Sequence, residues 1–130
     1  MIKNRRAFIV GLKSSKLSNK EITFLKKYKP WGVILFSRNI SSIEQTKKLT
    51  DRIKKIFKDK KYPILIDQEG GRVNRFSKII SFDNLTSEYF GNLFTKDKKK
   101  FNIIYKLFVD KTSYLLKLIG INLNTVPVLD

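Results

Sequence analysis

The sequence reads as an α/β chain whose strands run parallel. Three features point there: short β-type runs alternate with amphipathic helical stretches, two of those runs contain no polar residue, and helix caps stand in the segments between them.

The first strand is expected at residues 7–10. Beyond it, Ser18-Asn19-Lys20-Glu21 has the form of a capping box, in which serine and glutamate side chains satisfy each other's backbone N–H groups. Ile22, Leu25 and Tyr28 then share one helical face, and Pro30 stops the helix. The second strand, 32–36, and the third, 63–66, are continuous apolar runs, as expected of parallel strands covered on both faces. Between them Ser41 or Ser42 caps a helix that turns Ile43, Leu49, Ile53 and Ile56 inward and Lys47, Lys48, Lys54 and Lys55 outward. An insert follows the third strand. The last helix carries Phe101, Ile104, Phe108, Leu115 and Ile119 at helical spacing, with Gly120 placed for a left-handed C-cap. A fourth strand is expected at 121–124, running on into Val126 and Val128.

The chain has 130 residues, 42% hydrophobic and 30% charged, enough apolar material for one domain with a charged, solvated surface. It contains no cysteine and no histidine, which excludes disulfides, thiolate nucleophiles, imidazole bases and zinc held by either residue. Only carboxylates are left as metal ligands, and neither a metal nor another cofactor is expected. The net charge of +17 is overwhelmingly lysine spread over every segment. Nucleic-acid recognition concentrates arginine and aromatics on one face, so no specific nucleic-acid partner is expected. The apolar run after the basic N-terminus is far shorter than a signal-peptide core, and no run approaches the roughly 18 residues of a membrane span. A cytoplasmic protein without a membrane partner is the expectation.

The order β-α-β-α-β-insert-α-β fits a doubly wound sheet of flavodoxin type or part of an eight-stranded barrel. No glycine-rich nucleotide loop follows any strand, which weakens the nucleotide-binding versions of the first. In both architectures ligands meet the loops at the carboxyl ends of strands. Three places qualify: Ser37-Arg38-Asn39, residues 67–75, and Pro127-Val128-Leu129-Asp130. The second packs Asp67, Glu69, Gly70, Gly71, Arg72 and Arg75 into nine residues and suits a polar, sugar-like ligand. Residue types alone make Asp67 and Glu69 a candidate pair for glycoside cleavage, which takes two carboxyls about 5 to 9 Å apart. The alternative is a structural loop in which Arg72 or Arg75 neutralises either acid. Residue types alone favour a surface or loop-bracing role for Arg38 over a ligand contact, and a solvated terminal carboxylate for Asp130.

Gly32-Val33-Ile34-Leu35-Phe36-Ser37-Arg38-Asn39-Ile40, the string Asp-Gln-Glu-Gly-Gly-Arg-Val-Asn-Arg at 67–75, and residues 120–130 resemble three successive motifs of glycoside hydrolase family 3. The nearest subgroup is the bacterial β-N-acetylhexosaminidases of peptidoglycan recycling. The resemblance implies a parallel (β/α) barrel of TIM type, with residues 1–130 forming its first four β/α units. It implies retaining hydrolysis of terminal non-reducing N-acetylglucosamine, and an N-acetylglucosamine-containing saccharide as partner. Asp67 would accept hydrogen bonds from the sugar hydroxyls and Arg75 would bind nearby, with Arg38, Glu69, Arg72 and Asp130 lining the site. The family's aspartate nucleophile and histidine acid/base lie later in the barrel, so no catalytic residue is expected in this chain. Four barrel strands leave two open edges, so the chain is expected to be either a fragment of a longer barrel or a half that associates with a separately encoded remainder or with a second copy. A non-catalytic sugar-binding half-barrel and a basic nucleic-acid-binding protein are the other functions weighed.

Overall fold

Four parallel strands stand side by side in chain order in the computed structural model, which describes residues 4–127. They are β1 (Arg6–Gly11), β2 (Pro30–Leu35), β3 (Ile64–Ile66) and β4 (Leu123–Asn124). Every neighbouring pair is parallel. A doubly wound sheet builds outward in both directions from a central strand, whereas a barrel wall adds each new strand beside the last. The order β1-β2-β3-β4 is that of a barrel wall, and among the described residues it does not close on itself.

The helices are α1 (Asn19–Tyr28), α2 (Ile43–Phe57), α3 (Ser87–Lys96) and α4 (Lys98–Ile119). The capping box forms as its residues require. Ser18 Oγ accepts the Glu21 N–H at 3.2 Å, and Glu21 Oε2 accepts the Ser18 N–H at 2.8 Å. Glu21 Oε1 also accepts the Lys13 N–H at 2.9 Å, tying the β1–α1 loop to the helix start. Pro30 does more than stop α1: Lys29 ends that helix in a left-handed conformation and Pro30 opens β2. Ser42 caps α2 by accepting the Gln45 N–H, while the Ser41 hydroxyl donates to Gln45 Oε1. Gly120 ends α4 at φ +80°, the left-handed cap its position predicts.

Three expectations need correction. The insert after β3 contains a helix, α3, capped by Thr86 and burying only Phe90. Phe90 packs edge-on against Tyr105 of α4, with centroids 4.9 Å apart. Lys54 does not simply face water: its ammonium donates to Gly120 O at 2.6 Å, beside Thr50 Oγ1 donating to Ile119 O at 2.7 Å. Burial there holds its pKa below the usual lysine range. The fourth strand is shorter than expected, and Val128 lies outside the described residues. Asparagine side chains in it and just before it add to the backbone ladder. Asn122 Oδ1 accepts the Ile64 N–H at 2.8 Å, and Asn124 clasps Gln68 through both its backbone N–H (2.9 Å) and its carbonyl (3.2 Å).

The core lies on the helix side of the sheet, where Val33, Leu35, Ile64 and Ile66 meet Leu25, Leu49, Ile53, Leu115 and Ile119. The opposite face is covered at the central strand β3 and less so toward β1 and β4. The register aligns Gly11, Ile34, Leu65 and Leu123 across the sheet, and Ile9 with Gly32. Leu65, at the centre, is 5% exposed, but Ile9 on β1 is 45% exposed and Leu123 on β4 39%. Gly32 makes room for Leu65, because a Cβ at residue 32 would lie 2.7 Å from Leu65 Cδ1. At the amino ends of the strands, buried Tyr62 donates to Pro30 O at 2.9 Å and stacks on Phe57. Among the described residues no helix is long and apolar enough to cross a membrane.

Candidate functional site

Asp67 is the first residue past β3, at the carboxyl end of the sheet and two residues beyond Leu65. The loop that follows turns back on itself. Gly70 (φ +92°) and Gly71 (φ +56°) take conformations that side chains rarely adopt, and Gly70 bridges Val73. Neither position has space for a Cβ: one at Gly70 would sit 2.5 Å from Leu85 O, and one at Gly71 2.8 Å from Thr86 Cγ2.

Gln68 holds the returning strand in place. Its side chain is 1% exposed; Oε1 accepts the Arg75 N–H at 2.7 Å and the Phe76 N–H at 3.2 Å, while Nε2 donates to Asn74 Oδ1 at 3.2 Å. Asn74 in turn donates to Asp83 at 3.0 Å. The buried amides have their partners, so the loop is fixed rather than merely tethered.

That brace brings Arg75 to Asp67. Arg75 Nε donates to Asp67 Oδ1 at 2.7 Å and Nη2 to Oδ2 at 2.6 Å, the bidentate geometry that a guanidinium and a carboxylate favour. The Asp67 hydrogen bond raises the Arg75 pKa above its ordinary value, with the Asp67 and Glu69 charges adding to it. The two side chains remain 23% and 25% exposed, open to a ligand from the mouth of the sheet.

A second group of side chains reaches the same place from β2. Phe36 follows that strand and leads into a single 3-10 turn, Ser37–Asn39. Arg38 Nε donates to Leu12 O at 2.8 Å, and buried Asn39 donates to Leu12 O and Ser14 O, which fastens the β2 end to the β1 end. The guanidiniums of Arg38 and Arg75 both lie over the Phe36 ring, 4.6 and 5.6 Å from its centroid.

The structure thus joins Asp67, Arg75 and Arg38 around Phe36. Glu69 and Arg72 are exposed, with the Glu69 N–H donating to Val73 O at 3.2 Å. Of the two arginines that could neutralise Asp67, the structure pairs it with Arg75. Asp130 lies outside the described residues. Among the described residues no group of three or more acidic, histidine or cysteine side chains is placed to hold a metal. Sequence reasoning passed over Phe36, read as a strand residue, and Gln68. The alternation Ile64, Ile66, Gln68 was the signal for the second, since it sends Gln68 to the buried side of the sheet.

No family model matches the chain. A β-hexosaminidase of Alkalilimnicola ehrlichii is 49% identical over 70 residues, which cover 52% of this chain and 19% of that protein. The native crystal structure of NagZ from Neisseria gonorrhoeae superposes with a TM-score of 0.83 at 29% identity, over 97% of this chain and 36% of that one. The same enzyme in complex with N-trifluoroacetyl-D-glucosamine gives 0.80 at 28% identity, over 97% and 37%. The chain resembles NagZ and the β-hexosaminidases in both sequence and fold. It corresponds to the N-terminal part of the NagZ barrel, and it spans well under half the length of these relatives. The NagZ-like frame gives the location of the Asp67 loop its meaning: in such barrels the carboxyl ends of the strands carry the site, whereas Tyr62 and Phe57 belong to the stabilising end.

Proposed function

We propose that the chain supplies the sugar-gripping part of a retaining β-N-acetylhexosaminidase that removes terminal non-reducing N-acetylglucosamine. The Asp67–Arg75 pair at the carboxyl end of β3 carries the reading. Each Asp67 oxygen keeps a lone pair after accepting from Arg75, so sugar hydroxyls can donate to a carboxylate already fixed in direction. Arg75, bonded to both of its oxygens, prevents that carboxylate from turning away. Arg38, Glu69, Arg72 and Asp130 are assigned to the lining of the site. The NagZ complex with a glucosamine derivative supports an N-acetylglucosamine-type ligand.

The cleavage chemistry is assigned to other parts of the barrel. The chain contains no histidine, so the family's histidine acid/base is not among its residues. Residues 1–130 act here as the first four β/α units, completed by further barrel strands in the same or another chain or in a second copy. A cytoplasmic role in peptidoglycan recycling follows from the same reading. The zero histidine count also favours a second reading, a half-barrel that binds sugar without cutting it.

The test is an NMR titration of the isotope-labelled chain with N-acetylglucosamine. Backbone amides of residues 67–75 should shift, and Asp67→Ala or Arg75→Ala should each weaken binding by about tenfold or more, the cost of truncating one partner of a charged pair. Unchanged affinity in both variants overturns the proposal. Chromogenic N-acetylglucosaminide should not be hydrolysed by the chain alone; turnover that survives in Asp67→Ala would be a contaminant, and turnover lost with it would overturn the division of labour.

A further inference from the structure

We infer that Phe36 is a positioning residue of this site: its ring fixes the Arg75 guanidinium, and through it the Asp67 carboxylate, in the direction that meets the sugar. The inference rests on the sugar-binding reading and deepens it.

Arginine has many rotamers, and a partly exposed ion pair is too weak by itself to confine them. A third contact is needed. The face of an aromatic ring carries negative potential and attracts a guanidinium that lies over it, as that of Arg75 does at 5.6 Å from the Phe36 centroid. The ring is itself held still. The Phe36 N–H donates to Asn39 Oδ1 at 2.9 Å, and Arg38, anchored on Leu12 O, lies over the same ring at 4.6 Å. Asp67 neutralises Arg75, which lessens the repulsion between two guanidiniums sharing one ring. Gly11 completes the packing from β1: a Cβ there would lie 3.1 Å from Phe36 Cε2 and 3.2 Å from Arg38 Nη2, so glycine lets ring and guanidinium settle against the strand. A chain of contacts therefore runs from the carbonyl of Leu12, just past β1, through Arg38, Phe36 and Arg75 to Asp67, across the carboxyl ends of three strands.

The charge on the ring face, rather than its bulk, is what the inference requires, and Phe36→Leu against Phe36→Tyr separates the two. The first readout needs no sugar. In the ligand-free chain the Arg75 Nε–H resonance should be protected from solvent exchange; Phe36→Leu should speed its exchange about threefold or more, and Phe36→Tyr should restore it. In the sugar titration Phe36→Leu should weaken N-acetylglucosamine binding by about three- to thirtyfold, with Phe36→Tyr close to wild type. If Phe36→Leu does not fold, Gly11→Ala, which crowds the ring from β1, should move the same resonance. An Arg75 signal indifferent to these changes overturns the inference, as does a tyrosine variant as impaired as the leucine one. If the Arg75 signal responds as expected but wild type binds no sugar, the sugar-binding reading alone has failed.

Discussion

Arg75 and Asp67 are eight residues apart in sequence, yet two parallel hydrogen bonds of 2.6 and 2.7 Å join them at the mouth of the sheet. A pair with this bidentate geometry should lie at the upper end of what partly exposed ion pairs contribute. We expect a double-mutant cycle with Asp67→Ala and Arg75→Ala, read by urea denaturation, to give a coupling energy of about 1 kcal/mol. Additive losses would mean that the pair orders the site without stabilising the fold.

Glycine-to-alanine changes should have opposite signs at two positions. Gly70→Ala places a methyl against Leu85 O at a positive φ and should cost about 2 kcal/mol or more. Gly91 lies inside α3, where a Cβ meets nothing within 4 Å, and Gly91→Ala should stabilise by about 0.5 to 1 kcal/mol. Thermal melts of the two variants check both signs at once.

Gln68 supports the loop from below. Gln68→Leu fills similar volume but leaves the Arg75 N–H without its acceptor, and should destabilise by about 1 to 3 kcal/mol. It should also impair sugar binding, because Arg75 is carried on the backbone that Gln68 holds. A variant with full affinity would show that the loop keeps its shape without the amide.

Much of this architecture is legible in local sequence. The capping box at Ser18, the stripe on α2 and the cap at Gly120 depend on residues within a turn or two of each other, and they form as read. What escapes is non-local. Helix α3 buries one residue of its own and depends on the aromatic side chains of α4. Strand β4 is held by asparagine amides, which no hydrophobic alternation signals. At the site, composition marks residues 67–75 but not the identity of the Asp67 partner, because the turn at Gly70 and Gly71 decides which side chains return to the strand end. Phe36 matters only because β1 and β3 lie on either side of β2.

Glu21 gives a pH-dependent term. Burial raises its pKa, but hydrogen bonds from the Lys13 and Ser18 backbone and the Ser18 hydroxyl outweigh that and hold it below 4.5. A lowered folded-state value means that the ionised group stabilises the fold above its unfolded pKa and loses that contribution as pH falls through the folded one. Glutamine can keep the capping geometry without the charge. The difference in urea midpoint between wild type and Glu21→Gln should therefore hold steady from neutral pH and shrink below 4.5. A difference that is flat across that range would remove the charge from the account.

The space between Gly32 and Leu65 is shared, and it is already full. Gly32→Ala alone should cost about 1 to 3 kcal/mol through crowding, whereas Gly32→Ala with Leu65→Val should recover part of that loss in a thermal melt. Trimming residue 65 makes room for a larger residue 32, so these two positions, one on each of two neighbouring strands, draw on one shared volume rather than two.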